Sequence, residues 1–69
     1  MTMLKVIEVL AESEGSWEDA ARRAVAEASD TVRQVRSINI ENLQATVENG
    51  KITRFRINAK ITFALESER

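Results

Sequence analysis

The side chains best placed to bind something are three cations and the acid that faces them. Arg54, Arg56 and Lys60 fall on even positions of a segment rich in Ile, Thr and Phe. In a strand, where side chains alternate between faces, that spacing puts all three on one side. Such a stripe can hold an anionic ligand such as a nucleotide cofactor. It can equally be a subunit contact laced with ion pairs, which the presence of Glu41 on the facing strand favours. A second group, Glu12, Glu14, Glu18 and Asp19, surrounds the expected start of a helix, and Glu66 and Glu68 lie near the end of the chain. Calcium takes about six to eight oxygen ligands, and a symmetry axis could gather such carboxylates from several subunits. No EF-hand spacing exists, and the plainer reading is a solvated acidic cap on the helix.

Catalysis has little to work with. The chain has no His, no Cys and no Tyr, which removes the usual bases and nucleophiles. Its Ser and Thr residues have no adjacent activator. The expectation is a protein that is not an enzyme.

The element that must position the cationic stripe is a long β-ribbon from Val35 to Glu66, turned at Asn49-Gly50. Asn-Gly is the strongest short hairpin signal, because a type I′ turn needs positive φ at both central residues and these two tolerate it. A two-residue turn would pair Val47 with Ile52, Ala45 with Arg54, Ile40 with Ala59 and Ile38 with Ile61. That register gathers Ile38, Ile40, Phe55, Ile57, Ala59, Ile61, Phe63 and Leu65 on one apolar face. The other face receives Ser37, Asn39, Glu41, Arg54, Arg56, Asn58, Lys60 and Thr62, with Leu43, Ala45, Val47 and Ile52 near the turn. Between Ile40 and Leu43 the apolar phase of the second strand switches. Either a bulge sits near Glu41-Asn42 or the strand passes from facing the helix to facing another subunit, and the second is the expectation taken here.

Ahead of the ribbon, Met3 to Ala11 reads as a strand with Ile7 and Val9 as its inward set. Glu8 within it calls for a Lys or Arg from a neighbouring strand. Glu12 to Gly15 is a short polar loop, and Ser16 is a helix N-cap with Asp19 completing a weak capping box. Trp17, Ala20, Ala21, Ala24, Val25, Ala28, Val32 and Val35 follow helical spacing, and the helix is expected to end near Gln34. Its inner face is mostly Ala, which lets it lie close against a sheet, and Trp17 is a core or interface anchor. The second strand runs from about Arg36 to Glu48, and Glu66 to Arg69 is a polar tail. The predicted fold class is therefore α+β, in β-α-β-β order. A right-handed crossover with the third strand inserted between the other two gives a three-stranded antiparallel sheet packed on one helix.

The 69 residues make one domain, residues 1–69, with no linker or repeat. Net charge is −1, so no global field gathers nucleic acid or an acidic membrane surface. There is no stretch of apolar residues of membrane-spanning length and no signal-peptide pattern, and a cytoplasmic location follows by default. Ordering each residue costs about 1.5 kcal/mol, and a core this small roughly breaks even against it. Without disulfides, self-association is the expected further source of stability.

Element order, the Asn-Gly ribbon and several short stretches together resemble the dodecin family. The matching segments are Lys5-Val6-Ile7-Glu8-Val9, Ser16-Trp17-Glu18-Asp19-Ala20-Ala21, Ala28 to Val35 and Lys60 to Glu66. The resemblance implies a hollow homododecamer of βαββ protomers. It also implies flavin (riboflavin or FMN) as the family ligand, stacked in pairs with the help of a Trp on the second strand and a Gln on the third. The positions that look equivalent are Ser37 and Arg56, so the site expected from the resemblance comprises Ser37, Asn39, Glu41, Arg54 and Arg56 without its stacking ring. The Ser-Trp-Glu helix start is similar to a flavin-free, calcium-binding branch of the family. Calcium is therefore the alternative ligand, and a structural assembly without any ligand is a third reading.

Overall fold

The computed structural model describes residues 3–65. The tail from 66 to 69, with Glu66 and Glu68, lies outside the described residues. Strand β1 spans Leu4–Ser13, helix α1 Trp17–Thr31, strand β2 Val35–Glu48 and strand β3 Lys51–Ala64. The strands form one antiparallel sheet in the order β1-β3-β2, with the third strand inserted between the other two as the crossover requires.

The turn follows from its residues. Asn49 has φ 53° and Gly50 φ 77°, the left-handed pair of a type I′ hairpin. β3 is the central strand and carries most of the core: Ile57, Ala59 and Ile61 are completely buried, and Phe63 nearly so. The helix lays its Ala stripe over them. Ala20 is buried against Ile57 and Ala59, with Val9, Ala11, Trp17, Ala21 and Ile38 packed around. Ile7, Val9 and Ala11 lie opposite Ile61, Ala59 and Ile57, which places them on the helix side.

Two boundaries differ from the expectation, each for a local reason. β1 continues to Ser13 because that side chain organises the turn into the helix. Ser13 is buried; its Oγ accepts the Gly15 N–H at 2.9 Å and donates to Asp19 Oδ2 at 2.6 Å. Ser16 caps the helix as expected, accepting the Asp19 N–H at 2.9 Å. At the other end α1 stops at Thr31 rather than near Gln34. The Thr31 hydroxyl and the Val32 N–H both donate to the Ala28 carbonyl, and Val32 is already extended. Gln34 then turns through φ 58°, its carbonyl accepting the Ala64 N–H at 3.0 Å, and feeds the chain into β2. Val35 therefore belongs to β2, opposite Phe63, and not to the helix face.

The larger correction concerns the ribbon. Its register shifts at three places: between Val35 and Ser37, between Ile40 and Asn42, where Glu41 is the extra residue, and between Thr46 and Val47, where β3 carries the extra Thr53. A bulge of this kind flips the side to which the following residues point. Leu43 thus lies opposite Ile57, and Ala45 opposite Phe55 rather than Arg54. Both join the helix side. Val47, two residues beyond Ala45, and its partner Ile52 follow them, while Thr46 and Thr53 touch through their hydroxyls at 2.7 Å on the opposite side. The phase switch is a bulge, and the apolar group near the turn extends the helix-side face instead of interrupting the polar one.

Candidate functional site on the open face of the sheet

The face turned away from α1 is built by alternation. β1 contributes Leu4, Val6, Glu8, Leu10 and Glu12; β3 contributes Arg54, Arg56, Asn58, Lys60 and Thr62. β2 adds Ser37, Asn39, Glu41, Asn42, Gln44 and Thr46. All five residues expected to form the site, Ser37, Asn39, Glu41, Arg54 and Arg56, lie on this face. Within one protomer they do not converge. Ser37 faces Thr62 and Arg56 faces Gln44, so six residues of β3, about 20 Å at 3.3 Å each, separate the two ends.

Two polar clusters result. Toward the Ser37 end, Lys60 Nζ lies 3.6 Å from Glu41 Oε2, and Asn39 Nδ2 donates to the same oxygen at 3.2 Å. The bulge gives Glu41 this reach, because the extra residue projects from the sheet on the polar side. Glu8 stands directly across from Lys60 in the register, the basic neighbour its strand position called for. Toward the Asn49-Gly50 turn, Glu12 sits between two guanidinium groups. Arg56 Nε donates to its Oε2 at 2.8 Å, and Arg54 Nη1 reaches its Oε1 at 3.5 Å. The hydrogen bond from Arg56, reinforced by the charges of Arg56 and Arg54, holds the Glu12 carboxyl below its usual range. The basic stripe is thus largely engaged by carboxylates of its own chain.

Between the clusters stands Asn58, flanked by Arg56 and Lys60 along β3 and by Leu10 and Asn42 across the sheet. Its Oδ1 is buried without a hydrogen-bond partner. A buried amide oxygen left unpaired costs about 1–3 kcal/mol unless something outside the chain donates to it. Sequence reading placed Asn58 on this face but missed its unpaired amide oxygen and the bridging role of Glu12, which become visible only when β1 is laid against β3 residue by residue.

The acidic group at the helix start is also drawn into the fold. Asp19 Oδ2 accepts from Ser13 and, at 2.7 Å, from Arg23, and these two bonds lower its titration range. With Glu12 and Asp19 so occupied, no group of three or more acidic, His or Cys side chains stands together among the described residues as a metal site. No aromatic side chain lies on this face among the described residues. Phe55 and Phe63 point to the helix side, and Trp17 is committed there too, edge-on to Phe55 with centroids 4.9 Å apart and donating its Nε1–H to the Gln44 carbonyl at 2.7 Å.

A three-stranded antiparallel sheet that holds one helix on one side and leaves the other side open defines the βαββ class. Comparison with known proteins places the chain further. The Dodecin family model matches residues 3–66, and the chain belongs to the dodecin family. It is 36% identical over 66 residues to the calcium dodecin of Mycobacterium tuberculosis, covering 94% of this chain and 92% of that one. The crystal structure of that calcium dodecin, described as having a novel calcium-binding site, superposes with a TM-score of 0.81 at 32% identity, over 97% and 96% of the two chains. Dodecin from Streptomyces coelicolor superposes with a TM-score of 0.91 at 27% identity, over the same shares of the two chains, 97% and 96%. The βαββ fold, its strand order and its antiparallel sheet are those of the family.

Proposed function

We propose that the chain is a small-ligand-binding protein that works as a closed homo-oligomer of dodecin type, a homododecamer by family analogy, and that its ligands are held between copies rather than inside one protomer. The observation that carries this reading is the uncovered open face, three strands wide, with Asn58 Oδ1 buried at its centre and lacking a donor. A binding role rather than a catalytic one is in keeping with a chain that lacks His, Cys and Tyr. Calcium is the first ligand to test, supported by the name of the Mycobacterium tuberculosis relative and by the surplus of exposed carboxylates such as Glu14 and Glu18. No three acidic side chains stand together among the described residues, so a site combined across subunits is the arrangement to test.

Flavin is the second reading, and Ser37 argues against it. A flavin bound at the position suggested by family resemblance would meet a hydroxyl where stacking needs an aromatic plane. Arg56, the other substituted position, is already held by Glu12. Three measurements decide. Native mass spectrometry gives the size of the particle, and a lone protomer ends the proposal. Calcium at 100 times its dissociation constant should stabilise the native state by about 2.7 kcal/mol, read as a rise in melting temperature. Riboflavin and FMN fluorescence should stay unquenched at concentrations where calcium gives its shift.

A further inference from the structure

The turn that closes the ribbon carries a pair of residues able to react with each other, Asn49 and Gly50. The other asparagines, Asn39, Asn42 and Asn58, lie within β2 and β3 and are followed by Ile40, Leu43 and Ala59. β1 pairs with β3 no further toward the turn than Phe55, so beyond it the ribbon is two strands alone. At its tip Asn49 and Gly50 are exposed, and a side chain built on Gly50 would meet no atom within 4 Å. Among the described residues neither the Asn49 amide nor the Gly50 N–H has a hydrogen-bond partner. A two-stranded hairpin is marginal in water, and exposed ends of this kind open at low cost in free energy.

We infer that Asn49 is a site of spontaneous covalent modification, deamidation through a cyclic imide, with water as the co-reactant. When the tip opens, Asn49 leaves the left-handed region and the Gly50 nitrogen reaches the Asn49 side-chain carbonyl carbon. Solvent base takes the Gly50 amide proton, the N–Cγ bond forms, and the Cγ–Nδ2 bond breaks to release ammonia. Water then opens the ring. Cleavage at Cγ leaves aspartate in an unchanged backbone; cleavage at the original backbone carbonyl leaves isoaspartate, whose chain runs through the side-chain carbon. No electrons are exchanged, and the net change is water in and ammonia out. The strand asparagines lack this route, because the ladder holds them extended and the side chain that follows crowds the attacking nitrogen. The products differ in consequence. Asp-Gly is itself a type I′ pair, so aspartate keeps the hairpin. Isoaspartate adds a backbone carbon to the short turn that sets the register, and so unpairs Glu48 from Lys51 and Val47 from Ile52.

The test uses the full chain as it assembles, incubated warm at mildly alkaline pH in heavy-oxygen water, then digested and fragmented in a mass spectrometer. The expected result is heavy oxygen at residue 49, with isoaspartate as the larger share, and none at Asn39, Asn42 or Asn58. An Asn49 that keeps its amide as completely as those three overturns the proposal. Asn49→Asp, made directly, separates the new charge from the lengthened backbone. Its amides from Val47 to Ile52 should be as protected from hydrogen exchange as in the unmodified protein, whereas in the isolated isoaspartate form they should exchange markedly faster. Equal protection in the two forms overturns the loss of register.

Discussion

The two halves of the ribbon share a sequence style and differ in what covers them. From Ile57 to Phe63, β3 lies between two neighbours and beneath α1, and its inward side chains are buried. From Leu43 to Ile52 the same alternation of Ile, Val, Leu and Thr stands in the open. The difference teaches that apolar patterning specifies a face and says nothing about who covers it. In the first half the cover is the chain's own Ala stripe, small enough to bring the helix close; in the second, α1 has no further turns to offer.

Breaking the covered half should have the largest effect. Ile61→Ala removes a completely buried side chain beneath the helix and should cost about 2–5 kcal/mol, read by urea denaturation followed by circular dichroism. A loss below 1 kcal/mol would mean that this end is not the core. At the seam between the halves, Trp17→Phe keeps a ring against Phe55 but deletes the hydrogen bond to the Gln44 carbonyl. About 1 kcal/mol should be lost in the same assay.

Acid should act on two carboxyls, Glu12 on the open face and Asp19 at the helix start. Glu12 is lowered by the hydrogen bond and charge of Arg56, with Arg54 adding to it, and Asp19 by its bonds from Ser13 and Arg23. A carboxyl whose folded pKa is depressed stabilises the fold above its unfolded pKa, and that contribution is lost as pH falls through the folded value. The melting temperature should therefore fall on acidification below about pH 4. Glu12→Gln and Asp19→Asn should each flatten that fall. The smallest effect on the protomer is expected in the open half: Val47→Thr should change its stability by no more than about 0.5 kcal/mol, yet weaken the homo-oligomer proposed above. Native mass measured on dilution separates the two.

Much of the covered half was legible in the sequence. Asn49-Gly50 marks the turn, alternation in β3 marks the buried side, and Ser16 with Asp19 marks the helix start. What stayed hidden were single-residue events. Glu41 and Asn42 are both polar, so a residue inserted there leaves no trace in hydropathy except the phase switch that follows, and that switch admits two explanations. Thr53 is equally silent. Ser13 read as loop because its role depends on a buried hydroxyl meeting Gly15 and Asp19, a geometry that composition does not report. The candidate site was legible as a face, since the five expected residues do share one. Its clusters were not, because Glu12 meets Arg56 across β1 and β3, strands far apart in the chain.

One indole and no phenol make this chain optically simple. Near-ultraviolet emission comes from a single fluorophore, clamped where the first helical turn touches the base of the exposed hairpin. Should that hairpin shift when neighbouring copies dock or an ion arrives, the colour and yield of this light should change without any label. Such a change would report the proposed assembly from within the protein itself.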